Sequence, residues 1–205
     1  MPSAAAKSAA PVLLVFGEDE FAVKQRARQA YQQWTTELGG MDHEIIDAAV
    51  GNSGEALKAL AKLREALQTL PFFGGGKVIW FQNCNFRADD RTGSSAAVTE
   101  TLAEIAQELK GFTWQNVRLI ISAGKVDKRK VFYKTLDKLG TVEAFAGWSI
   151  DDRDWADQAE GWARKAVREK SKEITEEALG EIISRVGPNP RQLDTEIEKL
   201  SLYVG

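Results

Sequence analysis

The chain has 205 residues, 43% of them hydrophobic and 28% charged, with a formal net charge of -3. That suffices for one medium α/β domain with a small satellite. The mildly acidic balance excludes a protein whose whole surface is built to grip DNA phosphates, and a lone cysteine, Cys84, with a lone histidine, His43, excludes an internal disulfide and the usual Cys/His zinc site. The cysteine count suits a reducing cytoplasm. Residues 1–11 are small and polar, lack the apolar stretch of a signal peptide, and read as a disordered lead-in. No apolar run approaches the roughly 20 residues that cross a bilayer.

Val12–Phe16 is a short continuous apolar run, as expected of a strand buried on both faces, and Gly17 breaks it. Val23, Ala27, Ala30, Tyr31 and Trp34 follow at helical spacing, and Gly39-Gly40 ends that helix. His43–Asp47 reads as a second strand. Ser53 is the expected cap of a second helix, with Glu55 in its first turn and Ala56, Leu60, Leu63, Leu67 and Leu70 on one face. Pro71 stops it. Val78–Phe81 is a third strand, and Ser94-Ser95 precedes a helix carrying Val98, Leu102, Ile105 and Leu109. Val117–Ala123 is a fourth strand, Lys128–Leu139 a basic helix and Val142–Phe145 a fifth strand. Strands alternating with helices predict an α/β fold with a mainly parallel sheet, and right-handed crossovers put helices on both faces.

After Trp148 the pattern is helical only. Asp151–Lys170 is predicted to turn Trp155, Ala159, Trp162 and Ala166 inward. Thr175 caps a helix with Ala178, Leu179, Ile182, Ile183 and Val186. Asn189-Pro190 opens a last helix with Leu193, Ile197, Leu200 and Val204. The expected division is a tail over 1–11, an α/β domain over 12–147 and a three-helix domain over 148–205.

A buried strand, a tight turn and a helix is the setting of a phosphate-binding P-loop. Here the junction reads Phe16-Gly17-Glu18-Asp19-Glu20-Phe21, with no lysine, no Ser/Thr and one glycine. Its carboxylates complement the helix dipole themselves and would repel a phosphate. The third strand exits through Gln82-Asn83-Cys84-Asn85, amides where an ATPase would carry acidic residues. Gly74-Gly75-Gly76-Lys77 precedes a strand instead of opening a helix, so it reads as a turn. His43 reads as a polar strand-face residue and Cys84 as a small core residue. Asp89-Asp90 and Asp151-Asp152 read as loop and cap polarity.

Leu70-Pro71-Phe72-Phe73-Gly74-Gly75-Gly76 is the most informative stretch. Adjacent phenylalanines cannot both enter one core from a regular element. By composition they fold back as a lid over the sheet edge, or else anchor in a partner's apolar pocket. The glycines read as a flexible exit.

Four blocks resemble the bacterial DNA polymerase III delta subunit family: LLVFGEDEF at 13–21, LPFFGGGKVIWFQN at 70–83, LIISAGKVDKRKVFYKTL at 119–136, and ITEEALGEIISRVGPNPRQLDTEIEKLSLYVG at 174–205. The resemblance implies an AAA+-like five-stranded parallel sheet without a working nucleotide site, followed by a small all-α lid-like domain. It implies a non-catalytic clamp-loader subunit of a DNA-directed DNA polymerase holoenzyme that binds and opens the sliding clamp (the beta subunit). The clamp-binding residues would be Phe72 and Phe73, flanked by Leu70 and Pro71; the family's usual pair is Leu-Phe, so Phe72 departs from it. Other implied partners are the clamp-loader ATPase and delta-prime subunits and primer–template DNA. ATP would be used by partners and no cofactor bound here, in a cytoplasmic replisome at the nucleoid. The resemblance also implies a C-terminal collar domain, which these 205 residues would not include, and without it assembly would be weakened.

Lys125, Lys128, Arg129, Lys130, Lys134 and Lys138 gather positive charge after the fourth strand. They read as a solvated helix face or as a DNA or partner contact. Arg191 lies in the first turn of the last helix, where the dipole disfavours a cation, and so suggests an acidic partner across the domain boundary. Two rival functions stay open: a DNA-binding module using the lysine cluster, and a nucleotide-using α/β enzyme with an atypical site.

Overall fold

The structure is a computed structural model that describes residues 10–69, 71, 75–86 and 92–204. The chain divides into two compact units, Met1–Phe145 and Ala146–Gly205. The first runs β1 (Val12–Gly17), α1 (Glu20–Leu38), β2 (Glu44–Asp47), α2 (Ser53–Gln68), β3 (Lys77–Cys84), α3 (Ala96–Gly111), β4 (Val117–Ala123), α4 (Val131–Leu139) and β5 (Gly140–Phe145). All strand pairs are parallel, in the order β2-β3-β4-β1-β5.

This order fixes where the helices go. The step from β1 to β2 crosses the sheet in one direction, and the later steps return in the other. Right-handed crossovers therefore put α1 alone on one face and α2, α3 and α4 on the other. The pleat of β1 serves both layers. Leu13 and Val15 pack with Val23, Ala27, Ala30 and Trp34 of α1. Val12, Leu14 and Phe16 join the second cluster, with Leu60 and Leu63 of α2, Ile105 of α3 and Leu136 of α4. Each such large side chain taken fully out of water contributes about 1.5–3 kcal/mol.

Local chemistry sets the ends, and here several boundaries differ from expectation. Asp19 caps α1, its Oδ1 accepting from the Ala22 N–H at 2.9 Å. Asn52, not Ser53, caps α2: its backbone is extended and its Oδ1 accepts from the Glu55 N–H at 2.9 Å. The α4 helix starts at Val131 because Asp127 Oδ1 accepts from the Arg129 N–H at 2.9 Å, closing a separate turn before it. β3 runs on to Cys84 through a register shift, with Asn83 at φ 57°.

The second unit contains α5 (Trp155–Glu169), α6 (Glu176–Val186) and α7 (Pro190–Tyr203). Its core is Ala159, Ala163, Ala166 and Val167 with Leu179, Ile183, Leu193 and Ile197. Thr175 and Asn189 cap α6 and α7 as expected. The α5 helix begins four residues later than predicted, because hydrogen-bonded turns at Asp152 and Trp155 precede it. Ala178, Leu200 and Val204, expected inside, are exposed; only Leu193 and Ile197 of α7 reach this core. Among the described residues no helix is long and apolar enough to cross a membrane.

Candidate functional site

Two edges of the sheet bear on function. The C-terminal edge holds the β1–α1 turn, where a doubly wound fold would place a phosphate. In this chain the turn is filled by its own side chains and backbone. An added Cβ on Gly17 would lie 1.8 Å from the Phe145 carbonyl oxygen, so β5 packs directly on the turn. Glu18 forms an ion pair with Lys125, which follows β4. Asp19 is spent on the cap, and burial raises its carboxyl above the usual range, opposed by the Ala22 and Phe21 N–H groups.

The amides at the β3 exit have structural partners. Asn83 Nδ2 donates to Asp47 Oδ1 at 3.1 Å. Asn85 Oδ1 accepts from the Val50 N–H at 3.1 Å, and its Nδ2 donates to the Val50 carbonyl at 2.9 Å. Both tie the β2–α2 loop to β3. His43 is likewise engaged: its Nδ1 accepts from the Val78 N–H at 3.2 Å.

A cavity of about 160 Å³ opens between this edge, α3 and α4, lined mainly by apolar groups such as Leu14, Leu102, Ile121, Phe132 and Leu136. Cys84 borders it, and burial pushes its thiol up to about 11, opposed by the Phe86 backbone. A thiol with that pKa is almost wholly protonated at pH 8, whereas a free cysteine near 8.5 is about a quarter thiolate. The higher intrinsic nucleophilicity of such a thiolate returns about one decade, so native protein is expected to react with a disulfide reagent at pH 8 about 10-fold slower, or more, than unfolded protein. A stopped-flow comparison with and without denaturant checks this. Among the described residues no cluster of His, Cys, Asp or Glu could hold a metal ion.

The basic residues are dispersed in their use. Arg129 forms a two-pronged pair with Asp127, which it holds down at about 2. Lys128 lies over the Phe16 ring at 5.6 Å. Lys130 is half-buried on the cavity wall. Lys134 and Lys138 are exposed and form no ion pair among the described residues. Arg191 is exposed too, with no ion pair among them.

The N-terminal edge of the sheet holds the end of α2. Leu70, Phe72 and Phe73 lie outside the described residues, and Pro71 is half-buried. What is described is how the chain enters and leaves that segment. Thr69 is the C-cap of α2, its N–H donating to the Glu65 carbonyl. Gly75 and Gly76 mark the return, and they are not loose. An added Cβ on Gly75 would lie 2.6 Å from Gly40 Cα, and one on Gly76 2.6 Å from Leu38 Cβ. The glycines thus permit close backbone packing against the end of α1, where a flexible exit was expected. Lys77 follows and is 1% exposed, which its sequence context did not signal. Its Nζ pairs with Glu44 at 2.6 Å and donates to the Thr69 carbonyl at 3.2 Å. The body of α2 is held to α3 by Arg64, which bonds Glu104 and Glu108 at about 3 Å.

A parallel sheet in this order, one helix against three, and a β1–α1 turn closed by its own residues define a doubly wound α/β module, followed by a three-helix unit. The family model described as DNA polymerase III, delta subunit, matches residues 13–145. The chain belongs to that family. In fold it is similar to the Bacillus subtilis DNA clamp loader delta protein YqeN, at a TM-score of 0.62 and 16% identity over 96% of this chain and 54% of that one. A DNA polymerase III gamma subunit-related protein from Thermotoga maritima aligns at a TM-score of 0.42 and 12% identity, over 82% of this chain and 51% of that one, too distant to carry an argument. The chain thus spans about half the length of these solved structures. No curated protein matches it.

Proposed function

We propose that this chain is a clamp-loader module that binds the sliding clamp through the segment leaving α2, Leu70 to Phe73, and favours the open ring. Its support is membership of the delta family over a span that includes this segment. The module needs no bond chemistry. It binds the open clamp edge more tightly than the closed ring, and that difference in affinity shifts the equilibrium. The filled β1–α1 turn favours a chain that takes no nucleotide or other cofactor itself, with ATP acting through the loader's ATPase subunits. The delta-prime subunit and primer–template DNA are further partners of such an assembly, working in the cytoplasm at the nucleoid. Lys134 and Lys138 are the basic residues best placed to touch DNA within it.

The test is direct binding of the purified chain to the sliding clamp of the same organism. Binding is expected without nucleotide and is expected to stay unchanged when ATP is added. No binding at high clamp concentration, or binding only with ATP, would count against the reading.

A further inference from the structure

We infer that Lys77 and Glu44 form a positioning pair that holds the partner-binding end of α2 in place; this rests on the clamp-binding reading. A lysine is almost never fully buried unless its charge is met. The Lys77 ammonium is met on two sides, by Glu44 Oε1 at 2.6 Å and by the Thr69 carbonyl at 3.2 Å. Thr69 is where the chain leaves α2, and the carbonyls there form the negative end of the helix dipole. The helix has no basic residue of its own in its last turn. Lys77 supplies that cation from the neighbouring strand.

The same residue also fixes the way back. Its N–H donates to the Asn116 carbonyl at 2.7 Å, and the Gly76 N–H donates to the Leu38 carbonyl at 3.2 Å. The entry to the segment after Thr69 and the exit from it are therefore tied to one side chain and one strand end. Glu44 faces solvent on its other side, with its side chain 43% exposed, so it holds the ammonium without being buried itself. A partner pocket gains most from side chains whose position is set before binding. The pair fixes Thr69 and Lys77, the residues on either side of that segment, and touches no partner.

Lys77→Met tests this. Methionine keeps the length of the side chain and removes both contacts, and Glu44 left alone is solvated. Removing one partner of an ion pair is costly when the other charge stays buried, and Glu44, 43% exposed, can instead be taken up by water. The variant is expected to melt close to wild type yet to bind the clamp about 10-fold more weakly, a change equal to about 1.4 kcal/mol. Amide exchange should quicken in the last turn of α2, from Ala66 to Thr69, and not elsewhere. A purely structural role would lower the melting temperature and leave the affinity of folded protein unchanged. Glu44→Gln, at a half-exposed site, is the companion variant should Lys77→Met not fold, with the same changes at smaller size. Wild-type affinity and unchanged exchange in a folded variant would overturn the inference. If wild type itself does not bind the clamp, and Phe72→Ala/Phe73→Ala changes nothing, the clamp reading fails and this inference falls with it.

Discussion

Replacing Phe72 and Phe73 together by alanine is expected to weaken clamp binding by a hundredfold or more while leaving the fold intact. Truncating a large apolar side chain that becomes fully buried forfeits about 1.5–3 kcal/mol. Two such losses amount to about 3–6 kcal/mol, or about two to four decades in Kd. Interface energy concentrates in a few aromatic anchors of this kind, so the rest of the surface would not make up the loss. The effect should fall on the dissociation rate, because the charge that steers encounter is untouched. Each single variant separates the two rings. The family's usual pair is Leu-Phe, so Phe72→Leu should bind at least as well as wild type. Surface-captured clamp with wild type, both singles, the double and Phe72→Leu measures all of this. Wild-type binding by the double variant would move the site away from the end of α2.

The parts of this fold that could be read from sequence are those set by local pattern. Val12–Phe16 is apolar throughout, and Val117–Ala123 is apolar except at Arg118 and Ser122, because their strands are covered on both faces. Val23, Ala27, Ala30 and Trp34 keep helical spacing because α1 buries one stripe. The misread boundaries were decided by competition between neighbours. Asn52 and Ser53 can both cap a helix, and only the extended backbone at Asn52 chooses between them. Asp127 turns the chain before α4 by capturing the Arg129 N–H, a choice hidden within a basic run. The periodicity of α7 continues through Leu200 and Val204, but the facing helices do not cover them.

The candidate site was legible as composition and not as architecture. Two phenylalanines beside a helix stop mark a segment unlike a core, but the partners of the residues that follow it are distant in sequence. Gly40 meets Gly75, and Glu44 meets Lys77, more than thirty residues away in each case. Lysine is exposed by default, so nothing in the sequence marks Lys77 as buried. The pairing of Glu18 with Lys125 is likewise a product of β1 lying beside β4.

Gly17→Ala is expected to be among the most damaging single-methyl changes to the first unit, costing about 3–5 kcal/mol, in the range that marks a specific structural conflict. The reason is the parallel pairing of β1 with β5, which sets Gly17 opposite Phe145. At φ 152° the new Cβ would lie 1.8 Å from the Phe145 carbonyl oxygen and 2.6 Å from its carbon. Both are backbone atoms of a paired strand, so no side chain can rotate away. Relief requires parting β5 from β1 or moving the β1–α1 turn, and the turn carries the Asp19 cap. Gly161→Ala and Gly180→Ala are the controls. Both lie inside helices, with nothing within 4 Å of the added Cβ. Alanine there should stabilise the second unit by up to about 1 kcal/mol, since glycine is the poorer helix former. Urea unfolding followed by tryptophan fluorescence compares the three variants, with Trp34 and Trp80 in the first unit and Trp155 and Trp162 in the second. A Gly17→Ala protein as stable as wild type would mean that β5 does not pack on the β1–α1 turn, and the argument that this turn is closed to a phosphate would fail with it.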